Sequence, residues 1–344
     1  MTVIESTRVR LKQRIADVLA EDLIAVREEL SRQFRSPSMF VRDVAEHVGR
    51  FQGKQIRPIL LLLSSRISGI AGGHRRQAAM LAAVVEMIHA ATLVHDDVID
   101  DADLRRHVST VHRRWNTETS VLFGDYLFSR AFHLAATTGD AEACRLIGRA
   151  TNRTCEGELN QIGARLEQSL SERDYFRVVY GKTAQLFAVS CRLGARVGGA
   201  SEALQSQLSQ FGSRLGIAFQ IADDVLDLTE TAESTGKDSA NDLANQRMTC
   251  LCCGLCVWQV LTIVKKSAVF CFLRIPQISR CCVNRACCSR ALNPLASRVN
   301  DLPNVLCVVC GVSRTVKSVC CWNLWRRIQL IDPSEMMRLE VLKK

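Results

Sequence analysis

The chain has 344 residues, 47% of them apolar, six prolines, 16 cysteines and a net charge of +10. This composition excludes a disordered chain, a collagen-like repeat and a small disulfide scaffold, and the length suffices for a large buried core. Charge and cysteine are unevenly placed: residues 250–344 hold 14 basic and 4 acidic side chains and 13 cysteines, which leaves residues 1–249 with 31 of each sign and three cysteines, Cys144, Cys155 and Cys191.

Taken in chain order, residues 1–249 read as helix almost throughout, with only Pro37 and Pro58 to interrupt them. The N-terminal stretch MTVIESTRVRLKQRIADVLAEDL carries acidic residues early and has no apolar core. The expectation is therefore a reduced, cytoplasmic protein without a secretory or transit signal. Helices are expected over 5–34, 40–50 and 57–70, then 75–101, where Met80, Val84, Met87, Ala91, Val94 and Val98 recur at spacings of three and four. Further helices follow at 118–137, 140–168, 172–197 and 201–230. Breaks fall at Gly72-Gly73, Thr138-Gly139-Asp140, Gly198-Gly199 and Gly236. The fold class is all-α.

Beyond Thr249 the pattern dissolves. The longest apolar run, Cys250–Val264, is short for a bilayer span and stops at Lys265-Lys266. The pairs Cys253-x-x-Cys256 and Cys307-x-x-Cys310 suggest zinc, but they stand far apart among many other cysteines and with no histidine nearby. Scattered basic residues do not make a nucleic-acid or membrane patch, and no nucleic-acid partner is expected. The sharp change in composition favours a frameshifted or unspliced segment. The organisation expected is a domain over 1–249, incomplete at its C-terminal end, and a Cys-rich basic segment over 250–344 of doubtful structure.

Two Asp-Asp-x-x-Asp clusters carry the chemistry: Asp96, Asp97 and Asp100, then Asp223, Asp224 and Asp227. Both lie inside apolar helices, ATLVHDDVID and GIAFQIADDVLDL, so a solvated helix face does not account for them. At about 100° per residue, His89, Thr92, Asp96 and Asp100 share roughly an 80° arc, as do Gln220, Asp223 and Asp227. Buried carboxylate rows stay ionised only beside cations. Oxygen donors of this kind suit Mg²⁺, which shares its shell with substrate phosphates. Basic residues that complete such a site are Lys54 and Arg57 at the start of an apolar helix, Arg105-Arg106 after the first cluster, Lys182-Thr183 and Lys237.

Residues 1–249 resemble the trans-isoprenyl diphosphate synthases, the polyprenyl synthetase family. The segments that carry the likeness are GKQIRP (53–58), EMIHAATLVHDDVIDDADLRR (86–106), SVLFGDYLFSRAF (120–132), GKTAQLF (181–187), FQIADDVLDLTE (219–230) and GKDSANDL (236–243). The family's Gly-Gly-Lys is Gln52-Gly53-Lys54 in this chain.

The resemblance implies the isoprenoid-synthase helical bundle, a homodimer, and a condensation of an allylic diphosphate with isopentenyl diphosphate. It assigns Mg²⁺ to Asp96, Asp100 and Asp223, with Asp97, Asp224 and Asp227 in support. It assigns isopentenyl diphosphate to Lys54, Arg57, His89 and Arg106, and the allylic diphosphate to Arg105, Lys182, Thr183, Gln220 and Lys237. Ala91 and Thr92 stand where the family floors its hydrocarbon tunnel, and their small size implies a long product of about thirty to fifty carbons, of the quinone side-chain type. A transient membrane contact would serve product release. Two further readings compete: a non-catalytic subunit of a heteromeric synthase or an inactive truncated product, and a terpene cyclase on the same fold, against which two intact Asp clusters argue.

Overall fold

The computed structural model describes residues 3–51, 53–69, 74–167 and 172–229. Lys237, the segment 250–344 and the breaks at Gly72-Gly73 and Gly236 lie outside these described residues.

Among the described residues, α-helices run in the order α1 (Val3–Gln33), α2 (Met39–Gly49), α3 (Ile56–Ile67), α4 (Arg75–Ile99), α5 (Val111–Arg114), α6 (Thr117–Thr137), α7 (Ala141–Glu167), α8 (Glu172–Val179), α9 (Gln185–Val197) and α10 (Glu202–Thr229). A two-stranded hairpin, β1 (Leu104–Arg105) and β2 (Val108–Ser109), follows α4, and one π-helical turn, Tyr180–Ala184, joins α8 to α9. The expected all-α bundle is what forms. The hairpin, α5 and the π turn are additions that the sequence reading did not contain.

Helix α4 is the axis. Its first half is buried on nearly every side, with Leu81, Ala82, Ala83, Val84, Val85, Met87 and Ile88 at 1% exposure or less. The expected stripe of Met80, Val84, Met87, Ala91, Val94 and Val98 is therefore too narrow. The surrounding shell consists of Leu19 and Val26 of α1, Leu61 and Leu62 of α3, Ala131 and Leu134 of α6, Ile147 of α7 and Leu193 of α9. Each large aliphatic side chain removed from water here contributes about 1.5–3 kcal/mol. By length and hydropathy α4 could cross a membrane, but 61% of its most apolar window is buried inside the protein, as a central bundle helix requires.

The second half of α4 faces a different cluster, in which Ala91 and Val94 pack with Val44 and Val48 of α2, Val111 of α5, and Phe123 and Leu127 of α6. A third cluster joins Leu60 of α3 to Phe187 and Cys191 of α9, with Phe211, Leu215 and Phe219 of α10 against them. Local signals set the helix ends. Asn116 caps α6 by accepting from the Thr119 amide at 2.7 Å, and Asp140 caps α7 by accepting from the Ala143 amide at 3.1 Å while pairing with Arg196 at 2.7 Å. The result places the C-terminal end of α4, the N-terminal end of α3, the π turn and the second half of α10 around one site.

Candidate active site

The first Asp cluster ends α4. Asp97 is 1% exposed and takes both forks of Arg105, from Nε at 2.8 and 3.0 Å and from Nη2 at 2.6 Å. Burial pushes the Asp97 carboxyl up, and the Arg105 guanidinium opposes that shift. Arg105 thus anchors the hairpin to α4 and fixes the end of the helix. Asp96, half-buried, has a different partner: Lys182 Nζ of the π turn at 3.5 Å. Asp100 caps α4, its amide donating to the Asp96 carbonyl at 2.8 Å.

Lys182 is the cation between the carboxylates. Besides Asp96 it donates to Glu158 Oε2 of α7 at 2.8 Å and to Gln161 Oε1 at 3.3 Å. Burial lowers its basicity, but Asp96, Glu158 and Asp100 outweigh that and hold the ammonium charged. Glu158 is pushed up to about 7, first by burial and next by the charge of Asp96. Backbone contact sets this geometry. A Cβ on Gly157 would lie 2.5 Å from the Lys182 amide nitrogen, so only glycine lets α7 and the π turn approach so closely.

The next residue on the same turn reaches the second cluster. Thr183 Oγ1 donates to Gln220 Oε1 at 2.6 Å, and Gln220 Nε2 donates to Asp224 Oδ1 at 3.0 Å. Tyr175 of α8, 1% exposed, donates its hydroxyl to the other oxygen of Asp224 at 2.6 Å. Asp224 is therefore held by protein donors much as Asp97 is, while Asp223 is half-buried beside it. The backbone of Asp227 continues α10, and its side chain lies outside the described ones. Lys182 and Thr183, adjacent on five π-helical residues, tie the two Asp clusters together.

The cationic wall comes from α3 and the hairpin. Arg106 and His107 form the two-residue loop of the hairpin with φ of 53° and 64°. That is the primed turn that matches strand twist but strains residues other than glycine or asparagine. The strain aims Arg106 across to the segment before α3, where its Nη1 donates to the Phe51 carbonyl and its guanidinium packs on Gly53. A Cβ on Gly53 would stand 2.5 Å from Arg106 Nη2. Gln55, also left-handed at φ 49°, turns the chain into α3.

Arg57, in the first turn of α3, lies 4.8 Å above the Phe187 ring. Burial pulls its guanidinium down to about 10, against the charges of Glu86 and Asp223 that favour the cation. Its Nε is buried without a hydrogen-bond partner, as is Glu86 Oε2. His89, one turn beyond Glu86, is held well below its usual range by burial and by Arg57, Arg105 and Arg106, so it is a neutral imidazole. The carbonyl of His89 accepts from Thr92 Oγ1 at 2.8 Å, and Ala91 is fully buried in the cluster with Phe123 and Leu127. Lys54 precedes Arg57 on the exposed lead-in to α3.

Comparison with known proteins gives the family. Residues 39–258 match the polyprenyl synthetase family, nine residues past the compositional change at Thr249. The chain belongs to this family of prenyl transferases. It is 39% identical to heptaprenyl diphosphate synthase component 2 of Geobacillus stearothermophilus over 231 residues, covering 67% of this chain and 71% of that one. It is 35% identical to octaprenyl diphosphate synthase of Haemophilus influenzae over 237 residues, covering 69% and 70%. The crystal structure of a polyprenyl synthase from Caulobacter crescentus, complexed with calcium and isoprenyl diphosphate, superposes with a TM-score of 0.66 at 30% identity, over 86% of this chain and 85% of that one.

Among the described residues no three histidine, cysteine or acidic side chains are gathered closely enough to hold a metal ion by themselves. What the site does have is the negative potential of Asp96 and Asp100 that lifts Glu158, and a carboxylate at Asp223 that faces the arginines. That donor set fits a hard divalent cation completing its shell with diphosphate oxygens and water.

Four contributors were missed in the sequence: Glu86, Glu158, Gln161 and Tyr175. Glu86 lies three residues before His89 and so shares its face of α4, a signal that could have found it. Glu158 gives no such sign, because a lone glutamate in a polar helix reads as surface.

Proposed function

We propose that this prenyl transferase condenses an allylic diphosphate with isopentenyl diphosphate and repeats the step to a long-chain trans-polyprenyl diphosphate. The observation that carries the reading is the π turn whose adjacent Lys182 and Thr183 join Asp96 of the first cluster to Gln220 and Asp224 of the second. Two carboxylate clusters, together with Arg57, His89 and Arg106, would between them receive two diphosphates.

Asp96, Asp100 and Asp223 would hold Mg²⁺, which supplies charge neutralisation to a departing diphosphate. Lys182, Thr183 and Gln220 bind and orient the allylic diphosphate, with Arg105 fixing the frame through Asp97 and Lys237 reserved for the same group. Arg106, Arg57, Lys54 and His89 hold isopentenyl diphosphate. The orphaned Nε of Arg57 supplies a buried donor for a phosphate oxygen. The allylic C–O bond ionises among fixed charges rather than water, the homoallylic double bond attacks the cation, and a proton leaves to the diphosphate. No side-chain nucleophile is required.

A product of about thirty to fifty carbons follows from Ala91 and Thr92, which put no bulky ring on the face of α4 toward α6. Exposed Val121, Leu122 and Phe132 on α6 leave apolar surface that a second subunit would cover. The expected arrangement is a homodimer in the cytoplasm. The likeness to a synthase named as a component favours, as second reading, a pair with a different chain. Sedimentation of the purified chain decides: a twofold mass supports the homodimer, and a monomer that turns over only with a second protein supports the other. Product chromatography with Mg²⁺, labelled isopentenyl diphosphate and farnesyl diphosphate tests the chemistry.

A further inference from the structure

We propose that His47 of α2 is a positioning residue for Arg106, clasping the hairpin against α2 only while its imidazole is uncharged. The proposal rests on the reading that Arg106 holds isopentenyl diphosphate. Two contacts, four residues apart along the chain, join α2 and its end to the hairpin. At the first, His47 Nε2 lies 2.7 Å from the Ser109 carbonyl at the end of β2. At the second, the Phe51 carbonyl accepts from Arg106 Nη1. The His47 and Phe51 rings pack edge to face with centroids 5.3 Å apart, so the two contacts move together.

Geometry fixes the protonation state of the clasp. Arg114 Nη1 lies 2.8 Å from His47 Nδ1. A guanidinium can only donate, so Nδ1 is the acceptor and Nε2 carries the proton that Ser109 receives. His47 is 3% exposed, and both its ring nitrogens are engaged. Trp115 completes the packing, its ring 5.2 Å from the imidazole and 4.8 Å from the Arg114 guanidinium. The charged groups that share a cavity with His47 are Arg114 of α5 and Asp43, Glu46 and Arg50 of α2, and Glu46 pairs with Arg50 at 3.8 Å. Burial holds the imidazole below its ordinary range, the Ser109 carbonyl opposes that, and Arg114 and Arg50 add to the lowering. A proton on Nδ1 would set two donors face to face and place a charge beside Arg114. The clasp would then open, and Arg106, in a loop strained at φ of 53° and 64°, would lose its seat. Arg105 keeps an independent anchor on Asp97.

The first arm of the test involves no turnover. Hydrogen exchange over residues 104–110 of the wild-type chain, corrected for the intrinsic pH dependence of exchange, is expected to lose protection as the pH falls from 8 to 5.5. His47→Gln, which keeps a donor for Ser109 but does not titrate, is expected to show no such loss. Protection that is constant with pH in the wild type, or that falls in parallel in both proteins, overturns the proposal. In the kinetic arm, KM for isopentenyl diphosphate in His47→Gln is expected within about threefold of wild type at pH 8. The ratio of wild-type to variant KM should rise about tenfold by pH 5.5, while the same ratio for the allylic diphosphate moves less than about twofold. Equal movement of both ratios, or of neither, overturns the assignment to Arg106. A chain that makes no product at any pH refutes prenyl transfer, and exchange then decides the clasp of His47 on the hairpin by itself.

Discussion

Lys182 Nζ lies 3.5 Å from Asp96 and 2.8 Å from Glu158, so one half-buried ammonium neutralises two helices' carboxylates at once. Removing the cation leaves Asp96, Glu158 and Asp100 to repel one another in a desolvated site. Lys182→Gln is expected to cut kcat/KM for the allylic diphosphate by about 10²–10³. The effect on KM for isopentenyl diphosphate should be much smaller. Steady-state kinetics with each substrate varied in turn checks this, and equal losses on both would contradict the assignment.

Gly53 touches no substrate in this account but shapes the seat of Arg106. A methyl group there would stand 2.5 Å from the guanidinium. Gly53→Ala is therefore expected to displace Arg106 and raise KM for isopentenyl diphosphate about tenfold or more, consistent with one lost charge-assisted contact. The melting temperature should move little, because the site is exposed at this edge. Kinetics and calorimetry on the same preparation separate the two effects.

Burial and three arginines hold His89 neutral. Its native pKa lies below the unfolded value, so its contribution to stability is complete above about pH 6.5. As the pH falls toward the native pKa, the unfolded chain takes up a proton that the native chain refuses. Each such histidine removes up to about 1.4 kcal/mol of stability per pH unit. Glu158, raised to about 7, works in the opposite direction between its unfolded value and 7. The difference between wild type and His89→Asn isolates the histidine. Denaturation at pH 5 to 8 should show the wild-type curve falling more steeply below 6.5, and parallel curves would refute the buried neutral imidazole.

Ala91 is fully buried against Phe123 and Leu127. Ala91→Phe is expected to overpack that cluster by about 1–3 kcal/mol. It is also expected to shorten the product by at least one isoprene unit, read by chromatography of the dephosphorylated alcohols. A destabilised enzyme with unchanged product length would assign Ala91 to the core alone.

Much of this was legible in the chain. Helical periodicity placed α1–α4, α6, α7 and α10 within a few residues, because long amphipathic patterns between glycine breaks admit little else, and read α8, the π turn and α9 as one helix over 172–197. The two Asp clusters stood out because carboxylates interrupt apolar helices there. The hairpin was not legible: its strands are two residues long and its loop is Arg106-His107, with none of the Asn-Gly or Asp-Gly signals of a primed turn. The π turn was hidden because one extra residue does not break the pattern over 172–197. The division of labour within each cluster was also invisible. Asp97 is held by Arg105 and Asp224 by Tyr175, contacts between residues 8 and 49 positions apart that no local pattern encodes, while the Gln220–Asp224 contact is the ordinary four-residue spacing of one helix. Arg105, expected to hold a diphosphate, also grips Asp97 in this structure.

The most direct test of the central claim is product formation by the full chain. Purified protein would be incubated with Mg²⁺, labelled isopentenyl diphosphate and farnesyl diphosphate, beside Asp96→Ala. The account expects polyprenyl products of about thirty to fifty carbons that disappear in the variant. Folded protein that makes no product, or makes none longer than twenty carbons, would contradict it.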